Sequence, residues 1–226
     1  MAGEPRKIGL LEHFGTGNLG DDATVDAVLH YIKSQWPRAS VIGLSLHPSD
    51  SEKRHGIPCF PIRRGLFSPE PYRPTTTGAT LKDKFKALLD RCRLLFLVQK
   101  PRQFFRELLF LGKSFRVAKS LDLLVVCGGG QLLDAWGGPW AFPYTIFKWV
   151  LLAKLCRRKC YFVNVGAGPL DYSLSKWFVK RALHLADYVS FRDDKSKQEV
   201  QGRDEHHQHE QLPQLDAEVE RQQRGQ

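Results

Sequence analysis

A single methionine, no paired C-x-x-C spacing and no apolar run long enough to span a bilayer mark this 226-residue chain. Each scarcity excludes something. Ile8 to Leu11 is the only apolar stretch near the start, and Glu12 and His13 follow it, so no secretory leader is expected. The greasiest segment, Phe142 to Cys156, carries Lys148 and Lys154 and falls short of the roughly 20 residues a spanning helix needs. It reads as a helix buried on most of its circumference, with contact to a membrane surface as the alternative. Five cysteines (Cys59, Cys92, Cys127, Cys156 and Cys160) are an odd set that suggests neither a zinc site nor a disulfide framework. Reduced thiols and a cytoplasmic location are the expectation.

Apolar residues make up 42% of the chain and aromatics 11%, enough to build a core. The formal charge of +10 is uneven. Residues 195–226 hold five Lys/Arg against seven Asp/Glu, which leaves 29 against 17 on residues 1–194. The part expected to fold is therefore the basic part, and its field favours anionic partners: phosphorylated small molecules, phospholipid head groups or nucleic acid. Nucleic acid fits worst, because no aromatic-basic stacking face or recognition helix is evident.

Strand-length apolar runs at about 7–14, 40–46, 57–62, 122–127, 160–165 and 188–192 alternate with helix-period segments. That alternation predicts an α/β fold with a mostly parallel sheet covered by helices. Val25, Val28, Leu29, Ile32 and Trp36 mark one helix between Asp21-Asp22 and Pro37; Leu174, Phe178, Ala182 and Leu185 mark a later one. Residues 63–80 read as a surface loop, and 81–120 as two surface helices with solvated basic faces, broken near Pro101. Residues 195–226 contain eight glutamines and no aromatic residue, too little apolar surface to offset the entropy of ordering. The expected division is a folded domain over 1–194 and a disordered polar tail over 195–226.

Gly15-Thr16-Gly17-Asn18-Leu19-Gly20 follows the first strand and precedes a helix, the context of a phosphate or dinucleotide turn. A dinucleotide site also wants an acid at the end of the second strand, which instead ends Leu44-Ser45-Leu46-His47-Pro48. Asp21 and Asp22 would moreover occupy the positive helix end themselves. A tight turn beside another ligand fits better, and a purely structural turn remains open. The fourth strand delivers Gly128-Gly129-Gly130 and then Asp134; the fifth delivers Gly166 and Gly168; the sixth delivers Arg192. Glycines there let a ligand approach the main chain, and ligands of parallel sheets bind beyond the carboxyl ends of the strands. Asp134 could equally be a helix cap and Arg192 a surface ion pair. Gly112-Lys113-Ser114 looks like the end of a P-loop but has Glu107 where the first glycine belongs, and His206, His207 and His209 sit in the polar tail, so no metal site is expected.

In order and spacing, HFGTGNLGDDA, LLVVCGGGQLLD, NVGAGPL and DYVSFRDDKS resemble the polysaccharide pyruvyl transferase family over about residues 7–196. The resemblance implies a Rossmann-like doubly wound sheet, one half of a two-domain glycosyltransferase-B-like architecture. It implies transfer of pyruvate from phosphoenolpyruvate to a sugar as a ketal, in surface or exopolysaccharide biosynthesis. Phosphoenolpyruvate would be the donor substrate, with no cofactor, and the acceptor a sugar or lipid-linked oligosaccharide. Arg192 would grip the donor's anionic groups, since arginine binds oxyanions bidentately. Asp134 would transfer protons. Gly17, Asn18, Asp21, Gly128, Gly129, Gly130, Gly166 and Gly168 would shape the ligand site. A family member should continue after Ser196 into a second half that supplies further cations and a histidine, and the glutamine-rich tail has no counterpart to it. The sequence therefore reads as an incomplete or frame-shifted version of such an enzyme, or a natural short form. Peripheral contact with the inner membrane face, and a binding module without turnover, are the accompanying expectations.

Overall fold

A computed structural model describes residues 7–11, 18–64, 101–135 and 137–201. Six strands form one sheet: β1 (Lys7–Leu11), β2 (Ser40–Ser45), β3 (Cys59–Pro61), β4 (Leu123–Cys127), β5 (Lys159–Val165) and β6 (Tyr188–Phe191). Their order is β3-β2-β1-β4-β5-β6 and every pairing is parallel. This is the doubly wound Rossmann-type order, in which the chain reverses direction across the sheet between β1 and β4. All six expected strands are present, each within a few residues of the apolar run that announced it.

The helices are α1 (Leu19–Gln35), α2 (Pro48–His55), α3 (Pro101–Ser120), α4 (Phe142–Leu155), α5 (Ser173–Leu185) and α6 (Asp194–Gln201). Successive strand residues face opposite layers. Ile8, Leu10, Val41 and Val125 pack with Val25, Leu29 and Ile32 of α1, while Leu11, Leu124, Val126 and Phe162 pack with Ile146, Trp149 and Val179 of α4 and α5. Burial on both faces is why these strands read as continuous apolar runs rather than alternating ones. Two of the helices carry weak sequence signals. Helix α2 has no apolar stripe; Pro48 starts it and Gly56, at φ 65°, ends it in the left-handed conformation that glycine adopts freely.

Helix α4 is the greasy segment, and its Phe142, Ile146, Trp149, Val150 and Ala153 are consumed by the core. Lys148 is buried with them, its Nζ donating to the Ile62 carbonyl at 2.9 Å, where the Trp149 indole N–H also donates at 2.9 Å. Burial pulls the Lys148 ammonium from its ordinary 10.5 down to about 8, with Glu107 opposing. Among the described residues no helix is long and apolar enough to cross a membrane.

Helix α6 corrects the expected boundary at 194. Ser196 is 1% exposed and Val200 5%, and Val200 joins the core layer of α4 and α5. One buried valine and a capped first turn order a segment whose composition alone reads as disordered. The remainder of the tail, with His206, His207 and His209, lies outside the described residues.

Candidate functional site

The carboxyl ends of β4, β5 and β6 bring their loops together, and backbone hydrogen bonds sew them into one surface. Gly166 N–H donates to the Gly129 carbonyl at 2.8 Å, Leu132 N–H to the Gly166 carbonyl at 3.2 Å, and Gly168 N–H to the Leu132 carbonyl at 3.1 Å. Gly128 and Gly129 hold φ values of 65° and 56°, a conformation in which a side chain would be strained. A Cβ on Gly166 would lie 2.6 Å from the Gly129 carbonyl oxygen and one on Gly168 3.1 Å from the Leu133 Cβ. These glycines are required by close backbone approach. Gln131, fully buried, donates from its side chain to the Cys127 carbonyl at 2.6 Å and helps turn the chain after β4.

Arg192 completes this edge. Its backbone N–H donates to the Val165 carbonyl at 3.0 Å, which continues the ladder one residue past β6. The side chain folds back over β5, so that a Cβ on Gly166 would meet the guanidinium carbon at 3.2 Å. The group is 55% exposed and its Nε donates to Asp193 Oδ2 at 3.1 Å. Asp193 Oδ1 accepts from Ser196 N–H at 2.7 Å and so caps α6. Hydrogen bonds from the Ser196 backbone and side chain, then from Arg192, hold the Asp193 carboxyl below its ordinary value.

Asp134 is placed differently. It is 2% exposed, its Oδ2 accepts from Tyr172 N–H at 3.0 Å, and Tyr172 is the residue immediately before α5. The carboxylate therefore ties the β4 loop to the positive end of α5. No hydrogen bond or ion pair joins Asp134 to Arg192 among the described residues.

At the start of α1, Asn18 accepts from Gly20 N–H at 3.0 Å and donates to Asp21 Oδ2 at 2.9 Å. Burial raises the Asp21 carboxyl, Asn18 opposes, and neighbouring Asp22 adds to the rise. Asp22 turns inward, 5% exposed, into an ion pair with Arg54 Nη1 at 2.9 Å, and His55 Nε2 lies 3.5 Å from its other oxygen. Asp26 Oδ1 lies 2.7 Å from His55 Nδ1, so the His55 ring links α2 to α1. This cluster is invisible as a motif, since residues about 30 apart meet only through the fold. Gly17 lies outside the described residues. Gly112, Lys113 and Ser114 lie within helix α3, not on a phosphate loop.

A parallel sheet in this order, with glycine loops and an exposed cation at its carboxyl edge, defines a Rossmann-type α/β domain. A family model for polysaccharide pyruvyl transferase matches residues 18–205, and the chain belongs to that family. The match runs past Ser196 and takes in α6. No curated protein sequence matches the chain.

Proposed function

We propose that this domain binds phosphoenolpyruvate at the edge formed by the β4, β5 and β6 loops, and serves transfer of its pyruvyl group to a sugar as a ketal. The observation that carries the reading is the Arg192 guanidinium, exposed, braced by Asp193 and lying over the Gly166 backbone. An exposed arginine with its donors held in place suits a ligand that bears both a phosphate and a carboxylate. The surrounding glycines let such a small anion reach the main chain.

Ketal formation breaks the bond from the enol carbon to the phosphate oxygen and forms two bonds from that carbon to sugar oxygens. Of the two hydroxyl protons released, one goes to the methylene carbon, which becomes the methyl group, and one leaves with phosphate. We assign proton transfer to Asp134, with its orientation fixed by Tyr172 N–H, and donor binding to Arg192. The donor is a substrate, and no resident cofactor enters the scheme. The architecture that suits it is one half of a glycosyltransferase-B-like pair, working in the cytoplasm on a sugar or lipid-linked oligosaccharide.

A binding module without turnover is the second reading, and the burial of Asp134 against the start of α5 favours it. Phosphate release from phosphoenolpyruvate, assayed against a panel of acceptor sugars, separates the two. Acceptor-dependent release abolished in Asp134→Asn supports transfer. Donor binding without release, retained in Asp134→Asn and lost in Arg192→Ala, supports the module. Failure to bind phosphoenolpyruvate at all overturns both.

A further inference from the structure

We propose that helix α3 docks the protein onto an anionic phospholipid surface. Its inner side is ordinary: Phe110, Ser114 and Ala118 are buried, and Phe110 stacks on Phe60 at 5.9 Å between ring centroids. The outer side is not. Phe105, Leu108 and Leu109 are 60%, 52% and 54% exposed, and Phe115 is 40% exposed. Phe105, Leu108 and Leu109 stand at i, i+3 and i+4, one stripe along the helix. Four large apolar side chains on one exposed helix face are more than the scattered singles a soluble surface carries.

Charge identifies the occupant. Arg106, Lys113, Arg116 and Lys119 are exposed on the same helix and form no ion pair among the described residues. The helix's only acid, Glu107, is already paired with Arg64 at 3.1 Å. A second copy of the chain would bring the same cations against this face and be repelled. Residues 81–100 hold six Lys/Arg against two Asp, so they too carry the wrong sign. A bilayer interface containing anionic lipid accepts both halves of the pattern, the apolar stripe at the acyl boundary and the cations at the head groups.

The docking face also has a position. Arg64 lies just beyond the end of β3, and its pairing with Glu107 sets the first turns of α3 at the carboxyl edge of the sheet. The stripe and the Arg192 edge therefore lie toward the same end of the domain. The proposal is independent of the ligand that this edge binds.

The test is flotation of the purified protein with vesicles of phosphatidylcholine, alone or mixed with phosphatidylglycerol. Binding should require phosphatidylglycerol. Leu108→Ser with Leu109→Ser should abolish it, and Lys113→Gln with Arg116→Gln should weaken it by roughly 30-fold, about fivefold per cation. Tyr31→Ser, which removes an exposed aromatic from α1 on the other sheet face, should leave it unchanged. Unchanged thermal midpoints in all variants keep folding out of the comparison. No binding to either vesicle, equal binding to both, or equal binding by the α3 variants would overturn the proposal. So would a concentration-dependent dimer that the leucine variants dissolve without any vesicle binding.

Discussion

The Arg192 guanidinium carbon lies 3.2 Å from the point where a Cβ on Gly166 would stand, and the Gly129 carbonyl oxygen lies 2.6 Å from the same point. One missing methyl group thus makes room both for the loop-to-loop hydrogen bond and for the cation above it. Gly166→Ala should push the β4 and β5 loops apart, lower stability by about 1–3 kcal/mol and displace Arg192. Gly168→Ala, whose nearest contact is the Leu133 side chain at 3.1 Å, should do less. Thermal unfolding of both variants, with and without phosphoenolpyruvate, checks the ranking; a more damaging Gly168→Ala contradicts it.

Asp193 serves Arg192 and α6 at once, so its removal should have two separable effects. Asp193→Ala should lower the thermal midpoint through the lost cap. Asp193→Ser, which can still cap, should restore stability without restoring the brace on Arg192. Donor affinity measured beside thermal stability distinguishes them, and recovery of both in Asp193→Ser would show that bracing is unimportant.

Lys148 and two thiols predict a stability maximum on the alkaline side. The folded Lys148 loses its proton at about 8 instead of 10.5, so above pH 8 the unfolded chain binds more protons and stability rises with pH. The full effect is on the order of 3 kcal/mol. Burial pushes the Cys59 and Cys160 thiols from 9.0 up to about 12, so above pH 9 the unfolded chain loses protons first and stability falls. Taken together, these three groups place the maximum near pH 9. Lys148→Met should remove the rise between pH 8 and 9 and leave the fall above it, as read from urea midpoints across that range. The Ile62 carbonyl keeps its Trp149 donor in this variant.

Phosphoenolpyruvate should raise the melting temperature, and NAD should not. At the start of α1 the positions a pyrophosphate would use are occupied by Asp21 and Asp22, tied to Asn18 and to Arg54. A shift with NAD alone would reverse this.

The four inner strands were legible because they are buried on both faces and so read as unbroken apolar runs, and the edge strands β3 and β6, only half-buried, were legible as short apolar runs between turns. Helix α1 was legible from its apolar spacing, with its start expected at Asp21-Asp22; the side-chain cap is Asn18, so the helix begins at Leu19. Helix α2 was not, because Pro48 to His55 holds no apolar residue after the proline. Helix α6 was not, because its order comes from Val200 and the Asp193 cap within a polar stretch. The glycine loops and Arg192 could be placed at one edge from strand ends alone. That Asp134 would sit buried against Tyr172 could not, since a carboxylate four residues past a glycine triplet can face either solvent or the next helix. The outward apolar stripe of α3 was hidden for a related reason: spacing shows that a helix has two apolar sides without saying which one the sheet covers.

In β5, Phe162 pairs with Val189 and Val165 with Phe191, so three steps on one strand answer two on the other. Asn164, at φ 54°, is the extra residue, and asparagine is one of the few side chains that tolerates that conformation. The bulge changes the parity of the strand: Val165 returns to the face of Phe162, which simple counting would assign to the opposite layer. Val163 and Asn164 thus share one step of the ladder, and deleting Asn164 would leave Val165 opposite Phe191 on the face of Phe162 while removing the local bend that leads the chain out of β5 toward Gly166.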